Sequence, residues 1–478
     1  MDITYKPNTL YYGDCLEVMR SFPSDSIDLI YLDPPFNSDE KYHTIFEGSG
    51  LNIDVQIKAF DDMWLWDADS EKRVQDIKNA VANPASKVIT AFELCIPETP
   101  MLSYTSYMAQ RLFEMRRVLK DTGSIYLHCD PTASHYLKLV MDAVFEIDNF
   151  RNEIIWRIGW VSGFKTQKRG WIRNHDTILY YVASKQAIPR FNKEYIPYAP
   201  DYVRRDGKKP TGKGYPVEDT WNCSNADVLD SIMIKSFSRE KLGYPTQKTA
   251  ALLERIIIAS SNPGDVVLDP FAGCGTTIEA ACKNNRLAIG IDILPFALRL
   301  INSQRLVPNG LASLPVQGIP VDMDTAKQLA RNEPFKFQDW AISLIDGFAA
   351  NPKKIGDDGI DGFGVFFIKP DNMDRKAIVV QVTGASGSQR AKFDRLQTTI
   401  VNNNAAMGVL ITLDRQTARR NWSHNLEPIR MGESTYEPIQ CFSIEDYYKF
   451  DRDYGAQLRL PPLANPWTGK AMQKTLFD

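Results

Sequence analysis

"VVLDPFAGCGTTIEAACKN", residues 266–284, decides how the chain folds. Val266 to Asp269 read as a short strand, a turn containing Gly273 and Gly275 follows, and the residues from Thr276 onward open a helix. A strand, a glycine turn and a helix in that order bring backbone close to a nucleotide-like ligand at the carboxyl edge of a parallel sheet. A Cβ at Gly273 or Gly275 would obstruct a bulky ligand there. "LAIGIDI", residues 287–293, is the next strand, and its Asp292 stands where a carboxylate accepts both hydroxyls of a ribose. The Gly-Lys-Ser/Thr ending of a phosphate-binding loop is missing, as is the three-glycine dinucleotide fingerprint. The expected ligand is therefore a nucleoside with a short charged tail.

A second strand end matches the first. "DLIYLDPPFNSD", residues 28–39, runs from apolar residues into Asp33, Pro34, Pro35 and Phe36. A Pro-Pro pair ends a strand on its own account, since neither ring donates to a ladder. Read beside the glycine loop, Asp33 and Asp269 become strand ends on one edge of one sheet. That pairing suits methylation of an exocyclic amine, a poor nucleophile because its lone pair is delocalised into the ring. A carboxylate accepting one N–H and the Pro34 carbonyl accepting the other would draw the nitrogen towards tetrahedral geometry, with Phe36 stacked on the base. Placement and electrostatics would carry most of the rate.

The rest of the chain fits an α/β protein of several domains. At 478 residues it exceeds one ordinary core, and 44 % hydrophobic with 24 % charged residues is ordinary globular composition. No apolar run approaches the roughly 20 residues needed to cross a bilayer, and the first residues lack a secretory pattern. Seven scattered cysteines without zinc-site spacing read as reduced thiols in the cytoplasm. Residues 101–119 and 134–145 show helical spacing around the strand-like "GSIYLHCD", and "PTQKTAALLERIIIASS" reads as an amphipathic helix capped by Thr246, with Leu252, Leu253, Ile256 and Ile257 on one face. Residues 151–250 hold 18 Lys plus Arg against 10 Asp plus Glu, a balance of +8 inside a chain of net charge −3. Such a basic, aromatic stretch suits a polyanion partner.

With these motifs on the page, the sequence resembles the β-group amino DNA methyltransferases, which use S-adenosylmethionine. The resemblance rests on "YGDCLEVM", "DSIDLIYLDPPFN", "TGSIYLHCDPTASHYLKLVMD", "NFRNEIIWR", "HDTILYY", "LGYPTQKTAALLERIIIASSNPGDVVLDPFAGCGTT" and "AIGIDI", over about residues 8–305. It implies a catalytic turn of Asp33, Pro34, Pro35 and Phe36, and a cofactor loop of Asp269, Phe271, Gly273 and Gly275. Asp292 would hold the cofactor ribose, Asp14 would lie near its adenine, and Thr246 and Lys248 would approach its methionine carboxylate. Thr249 stands where many relatives have proline. Asp rather than Ser at the head of the Pro-Pro motif implies adenine N6 and not cytosine N4, with the base leaving duplex DNA to react. The alternatives are a cytosine-N4 enzyme, or a Mg²⁺-dependent nuclease whose methyltransferase part serves recognition.

The implied fold is a Rossmann-like methyltransferase sheet with an inserted target-recognition region and a C-terminal restriction-endonuclease-like α/β domain. Its divisions fall at 1–150 (catalytic half), 151–243 (target recognition), 244–305 (cofactor half), 306–324 (linker) and 325–478. In the recognition region each Trp (156, 160, 171, 221) reads as core packing, and His175 and Asp176 as structural orienters. The last block resembles the Mrr-like branch of the restriction-endonuclease fold, which would place Asp361 and Gln381 as Mg²⁺ ligands. Thr383 occupies the expected lysine position, and a neutral hydroxyl cannot stabilise a developing phosphorane. The expectation is a degenerate, DNA-gripping or structural domain, with a homodimer or a separate restriction endonuclease as protein partner.

Overall fold

The computed structural model describes residues 3–35, 64–80, 83–157, 169–222, 240, 242, 247–351, 359–367, 375–416, 422–449, 453–455 and 457–463. The chain begins with β1 (Thr9–Tyr12), α1 (Cys15–Arg20), β2 (Ile27–Leu32), α2 (Ala68–Asn79), α3 (Ser86–Cys95), α4 (Pro100–Val118), β3 (Leu119–Cys129), α5 (Ser134–Phe145), β4 (Phe150–Arg157) and β5 (His175–Val182). Short strands β6 (Tyr195–Ile196), β7 (Tyr215–Pro216) and β8 (Thr220–Trp221) precede α6 (Ala250–Ser260), β9 (Val266–Asp269), α7 (Thr276–Lys283), β10 (Leu287–Asp292), α8 (Pro295–Leu300) and β11 (Val316–Gln317).

Nine of these strands form one sheet in the order β11-β1-β10-β9-β2-β3-β5-β4-β8. From β11 to β3 the strands run parallel, whereas β5 is antiparallel to both β3 and β4. β2 and β9 are buried along their whole length, as parallel strands covered on both faces must be. Successive side chains of β2 divide between the faces. Ile30 and Leu32 pack with Leu102, Met108 and Leu112 of α4, while Leu29 and Tyr31 pack with Leu252, Leu253, Ile256 and Ile257 of α6. Full burial of each such side chain contributes roughly 1.5–3 kcal/mol.

Three details differ from the sequence expectation. Helix α6 begins at Ala250 with Thr249 at the N-cap position, and Thr249 makes no side-chain cap bond. The Glu240 carboxylate instead accepts the Ala250 N–H at 2.6 Å, and Thr246 lies outside the described residues. The expected linker contributes β11, which pairs with β1, and its short length between Pro315 and Pro320 left no alternation to read. Strands β4, β5 and β8 of the basic region belong to the main sheet, so residue 150, the first of β4, is no edge of that sheet.

The second unit comprises α9 (Met323–Asn332), α10 (Pro334–Ser343), β12 (Phe348–Ala350), β13 (Gly362–Phe367), β14 (Arg375–Thr383), α11 (Arg390–Asn402), β15 (Met407–Thr412), β16 (Ile429–Met431), β17 (Ser434–Tyr436), β18 (Ile439–Ser443) and α12 (Ile444–Lys449). A capping box of Asp322 and Thr325 starts α9. β12-β13-β14-β15-β18 form a mixed sheet in which β14, β15 and β18 are parallel. Arg299 of α8 ties the units together, donating to the Asp346 carboxylate at 3.0 Å and to the Ser343 carbonyl. Among the described residues no helix is long and apolar enough to cross a membrane.

Candidate active site

Parallel register brings the chemistry to one edge. Tyr12 pairs with Asp292, Gly290 with Asp269 and Leu268 with Ile30, so β1, β10, β9 and β2 finish side by side. A cavity at that edge is lined by Asp33, Pro34 and Pro35 beyond β2, by Asp269, Phe271 and Gly273, and by Asp292 and Lys248. The structure thus brings the Asp-Pro-Pro turn and the glycine loop together. Phe36 lies outside the described residues.

The loop is shaped by its glycines and pinned by two carboxylates. Gly273 and Gly275 have φ of +48° and +79°, which side chains disfavour. A Cβ on Gly275 would also stand 2.5 Å from Ile301 Cγ1. Asp292 accepts the Gly273 N–H at 2.8 Å through Oδ2 and the Leu294 N–H at 2.8 Å through Oδ1. Asp269 accepts the Phe271 N–H at 3.0 Å.

These carboxyl groups sit where ionisation is costly. Burial pushes Asp269 up to about 7 against the pull of its Thr277 and Phe271 hydrogen bonds, with the Asp33 and Asp292 charges adding to the rise. Burial likewise pushes Asp292 up to about 6, opposed by the N–H groups of Leu294 and Gly273. Among the described residues lining the cavity, Lys248 is the only cation. Its ammonium pairs with Asp33 Oδ2, both side chains being largely buried, while Asp33 Oδ1 is buried without a partner.

Other residues singled out in the sequence fall around this centre. Gly13 and Cys15 line the cavity, while the carboxylate of Asp14 between them caps α1 through the Leu16 N–H at 2.8 Å and pairs with Arg111. Arg111 lies 3.2 Å above the Tyr107 ring, another wall of the cavity. Trp156 and Trp221 are core residues, as the sequence reading has them, whereas Trp171 is 99 % exposed and Trp160 lies outside the described residues.

Sequence reasoning has Asp176 as a structural orienter, which the structure bears out, but it missed the partners beneath the cavity floor. Tyr31, which lines the cavity, meets His128 Nδ1 through its hydroxyl at 3.0 Å, and His128 Nε2 meets Asp176 Oδ2 at 3.2 Å. Arg173 pairs with Asp176 and reaches Asp130 at 3.5 Å. Against the upward push of burial, His128 and Arg173 hold the Asp176 carboxyl well below the ordinary range. These contacts join β2, β3 and β5, so only the strand order could have revealed them.

In the second unit, Asp361 Oδ2 accepts the Val382 N–H at 2.7 Å and Oδ1 the Gln338 amide at 2.9 Å. Gln381 Nε2 donates to the Gly359 carbonyl at 2.6 Å and to the Thr399 hydroxyl at 3.2 Å. The Thr383 hydroxyl bonds Gln389 at 3.2 Å, and Lys392 is exposed on α11. Among the described residues no group of three or more His, Cys, Asp or Glu side chains could hold a metal ion.

Comparison with known proteins gives the family. The chain is 27 % identical over 285 residues to the DNA adenine methyltransferase YhdJ of Escherichia coli (strain K12), covering 60 % of this chain and 78 % of that one. It is 26 % identical to the type II methyltransferase M.BamHI of Bacillus amyloliquefaciens, over 59 % of this chain but only about half, 54 %, of the relative. The solved PvuII cytosine-N4-specific DNA methyltransferase covers 65 % of this chain at 15 % identity and a TM-score of 0.39, with 93 % of that structure covered. The family pattern described as DNA methylase matches residues 27–303, more than half the chain and including both the Asp-Pro-Pro turn and the glycine loop, and the chain belongs to that family.

Proposed function

We propose that the protein transfers a methyl group from S-adenosylmethionine to N6 of adenine in duplex DNA. The observation that carries the proposal is the single cavity shared by the Asp33-Pro34-Pro35 turn and the Phe271–Gly273 loop. The lining fits the methyl donor in three respects. Gly273 of the left-handed glycine loop lines the cavity, Asp292 stands at a ribose-binding strand end, and half-buried Asp33 with buried Asp269 and Asp292 face a cationic ligand with one lysine among the described lining residues. When bound, the donor supplies an already activated methyl group on a sulfonium.

The chain's own residues then place the nucleophile. Asp33 accepts one N–H of the exocyclic amine through Oδ1, the carboxylate oxygen that no protein group occupies. The Pro34 carbonyl accepts the other N–H, and rigid Pro34 and Pro35 keep both acceptors from reorganising. Asp at the head of the motif favours adenine over cytosine. The recognition role assigned to residues 151–243 is supported by their charge and by topology. Because β5 is antiparallel to β3, its start lies on the reactive edge, with Arg173 and exposed Trp171 just before it. The described cysteines are free thiols, in keeping with a cytoplasmic enzyme beside the nucleoid.

We read the C-terminal unit as a restriction-endonuclease-like domain that grips DNA or braces the enzyme without cleaving. The residues present do not fit Mg²⁺, because both Asp361 oxygens hold protein N–H groups and Thr383 supplies no charge. In this reading any cleavage is the work of a separate endonuclease. Incubation with tritiated S-adenosylmethionine and mixed-sequence duplex DNA, followed by nucleoside analysis, tests the function. N6-methyladenine is the expected product, and N4-methylcytosine alone would refute the base assignment. Sequencing modified bases in a host genome then gives the recognition sequence.

A further inference from the structure

The ion pair between Lys248 and Asp33 joins two halves of the site that the reaction uses for different ligands. The main chain of Lys248 belongs to the donor half. Its carbonyl accepts a hydrogen bond at 3.3 Å from the hydroxyl of Thr276, the first residue of α7 behind the glycine loop. Its ammonium crosses to the substrate half and sits on the carboxylate that must take the target amine.

Resting on the methyltransferase reading above, we propose that Lys248 is a displaceable cover on Asp33. Without donor it neutralises Asp33. With donor it turns to the donor's carboxylate and leaves Asp33 available to the base, so donor binding precedes productive capture of adenine.

Electrostatics favours such an exchange. Three carboxylates line the cavity with a single lysine among the described residues, so an incoming carboxylate group has one cation to meet there. Breaking a buried ion pair outright is costly, whereas exchanging one carboxylate partner for another keeps the ammonium paired throughout. The four-carbon stem lets the ammonium move while the backbone stays anchored through Thr276. Asp33 is also only half engaged, since Oδ1 is buried without a partner and only Oδ2 holds the lysine. A carboxylate paired with an ammonium attracts a further N–H less strongly than one released from it. Donor binding thereby selects the state in which Asp33 is strongest as an acceptor.

Two nucleosides separate the tail from the ring system. Sinefungin carries an amino-acid tail with a carboxylate, and 5′-methylthioadenosine has no such tail. By calorimetry the wild-type protein should prefer sinefungin, and Lys248→Met should lose about tenfold of that preference while still binding methylthioadenosine. That retained binding also reports a folded site. Lys248→Arg should keep the preference.

The second readout is a duplex carrying the recognition sequence with 2-aminopurine at the target adenine. Its fluorescence should rise in the wild type with sinefungin but not with methylthioadenosine, and in Lys248→Met it should rise with either or neither nucleoside present. Unchanged nucleoside preference in Lys248→Met, or equal wild-type fluorescence with both nucleosides, overturns the proposal. Methyl transfer by the wild type to the unmodified duplex tests the DNA reading separately. The calorimetric comparison contains no DNA and decides the lysine's role even if that reading fails.

Discussion

Asp33 and Asp361 flank strands of two different sheets, and their surroundings show how a reactive carboxylate differs from a retained one. At Asp33 one oxygen holds Lys248 and the other is buried with no protein partner. Asp269 and Asp292 line the same cavity, pushed up to about 7 and about 6 by burial, so the fold tolerates costly groups there. At Asp361 both oxygens take up N–H groups of the protein itself. Beside it stands neutral Gln381, whose amide N–H groups serve Gly359 and Thr399, with only its carbonyl oxygen left unpartnered. Polar groups held at an energetic cost, around a space with room for a ligand, mark the first site. Asp292 likewise takes up the Gly273 and Leu294 N–H groups, so what separates the two sites is the unpartnered Asp33 oxygen and the cost of burial around a cavity, not engagement alone.

Paired substitutions give the sharpest way to break this contrast. Asp33→Ala should lower methyl transfer by about 10²–10³-fold or more, the scale of a lost preorganised electrostatic group. Asp361→Ala should leave transfer within about twofold. A tritium-transfer assay on both variants checks the pair, and comparable losses would show that the two units act as one catalytic machine.

A smaller effect follows from the raised carboxyl groups. Folded Asp269 keeps its proton up to about pH 7, whereas the unfolded chain releases it near its ordinary value of 3.8. The native state therefore holds more protons between those values, and its stability falls as pH rises from about 4 through about 7. Asp269→Asn removes that dependence and should raise stability by about 1–3 kcal/mol at pH 8, and by less at pH 5. Urea unfolding at both pH values measures it. The same substitution should weaken sinefungin binding, because a cationic ligand needs the ionised carboxylate. Wild-type affinity should likewise fall as pH drops through about 7 and about 6. Stability and affinity that failed to move in opposite directions would remove Asp269 from the first class of group.

Gly275→Ala tests the cradle at a comparable scale. Alanine would carry a φ of +79° and place its Cβ 2.5 Å from Ile301, costing about 1–3 kcal/mol. Thermal unfolding should register this loss, and calorimetry should show nucleoside binding weakened by about tenfold or more. Binding that survived unchanged would mean that the loop absorbs the strain on its Ile301 side without moving the cavity wall at Gly273.

How much of this was legible in the sequence follows from what local patterns report. Alternating strands and helices fix a parallel sheet, and a parallel sheet collects its strand ends on one edge. That is why Asp33, Asp269 and Asp292 could be named before their pairing was known. The inner face of α6 was legible for the same reason, since helical spacing reports burial. Spacing does not report partners. Asp33 and Lys248 are 215 positions apart, so their ion pair depends on which strand neighbours which. The Tyr31–His128–Asp176 contacts needed the order β2-β3-β5, with the antiparallel turn of β5. Glu240 caps α6 from ten residues upstream of Ala250, beyond the reach of any capping pattern. Strand β11 is held by pairing with β1 and by no pattern of its own.

The smallest expected effect is a shift of nearly zero, and it tests the other side of the contrast. A Mg²⁺ site on the folded protein, saturated about a hundredfold above its Kd, would add about 2.7 kcal/mol of stability by mass action. The Asp361–Gln381 region should add none, because the Asp361 oxygens are engaged by Val382 and Gln338 and Thr383 itself carries no charge. Thermal unfolding with and without Mg²⁺ should coincide. Gln381→Leu should still cost about 1–2 kcal/mol through its lost bonds to Gly359 and Thr399. A Mg²⁺-dependent rise that vanished in Gln381→Leu would show that an ion displaces those internal bonds. Asp361 would then join Asp33 as a carboxylate awaiting a ligand, and the unpartnered oxygen would no longer tell the two sites apart.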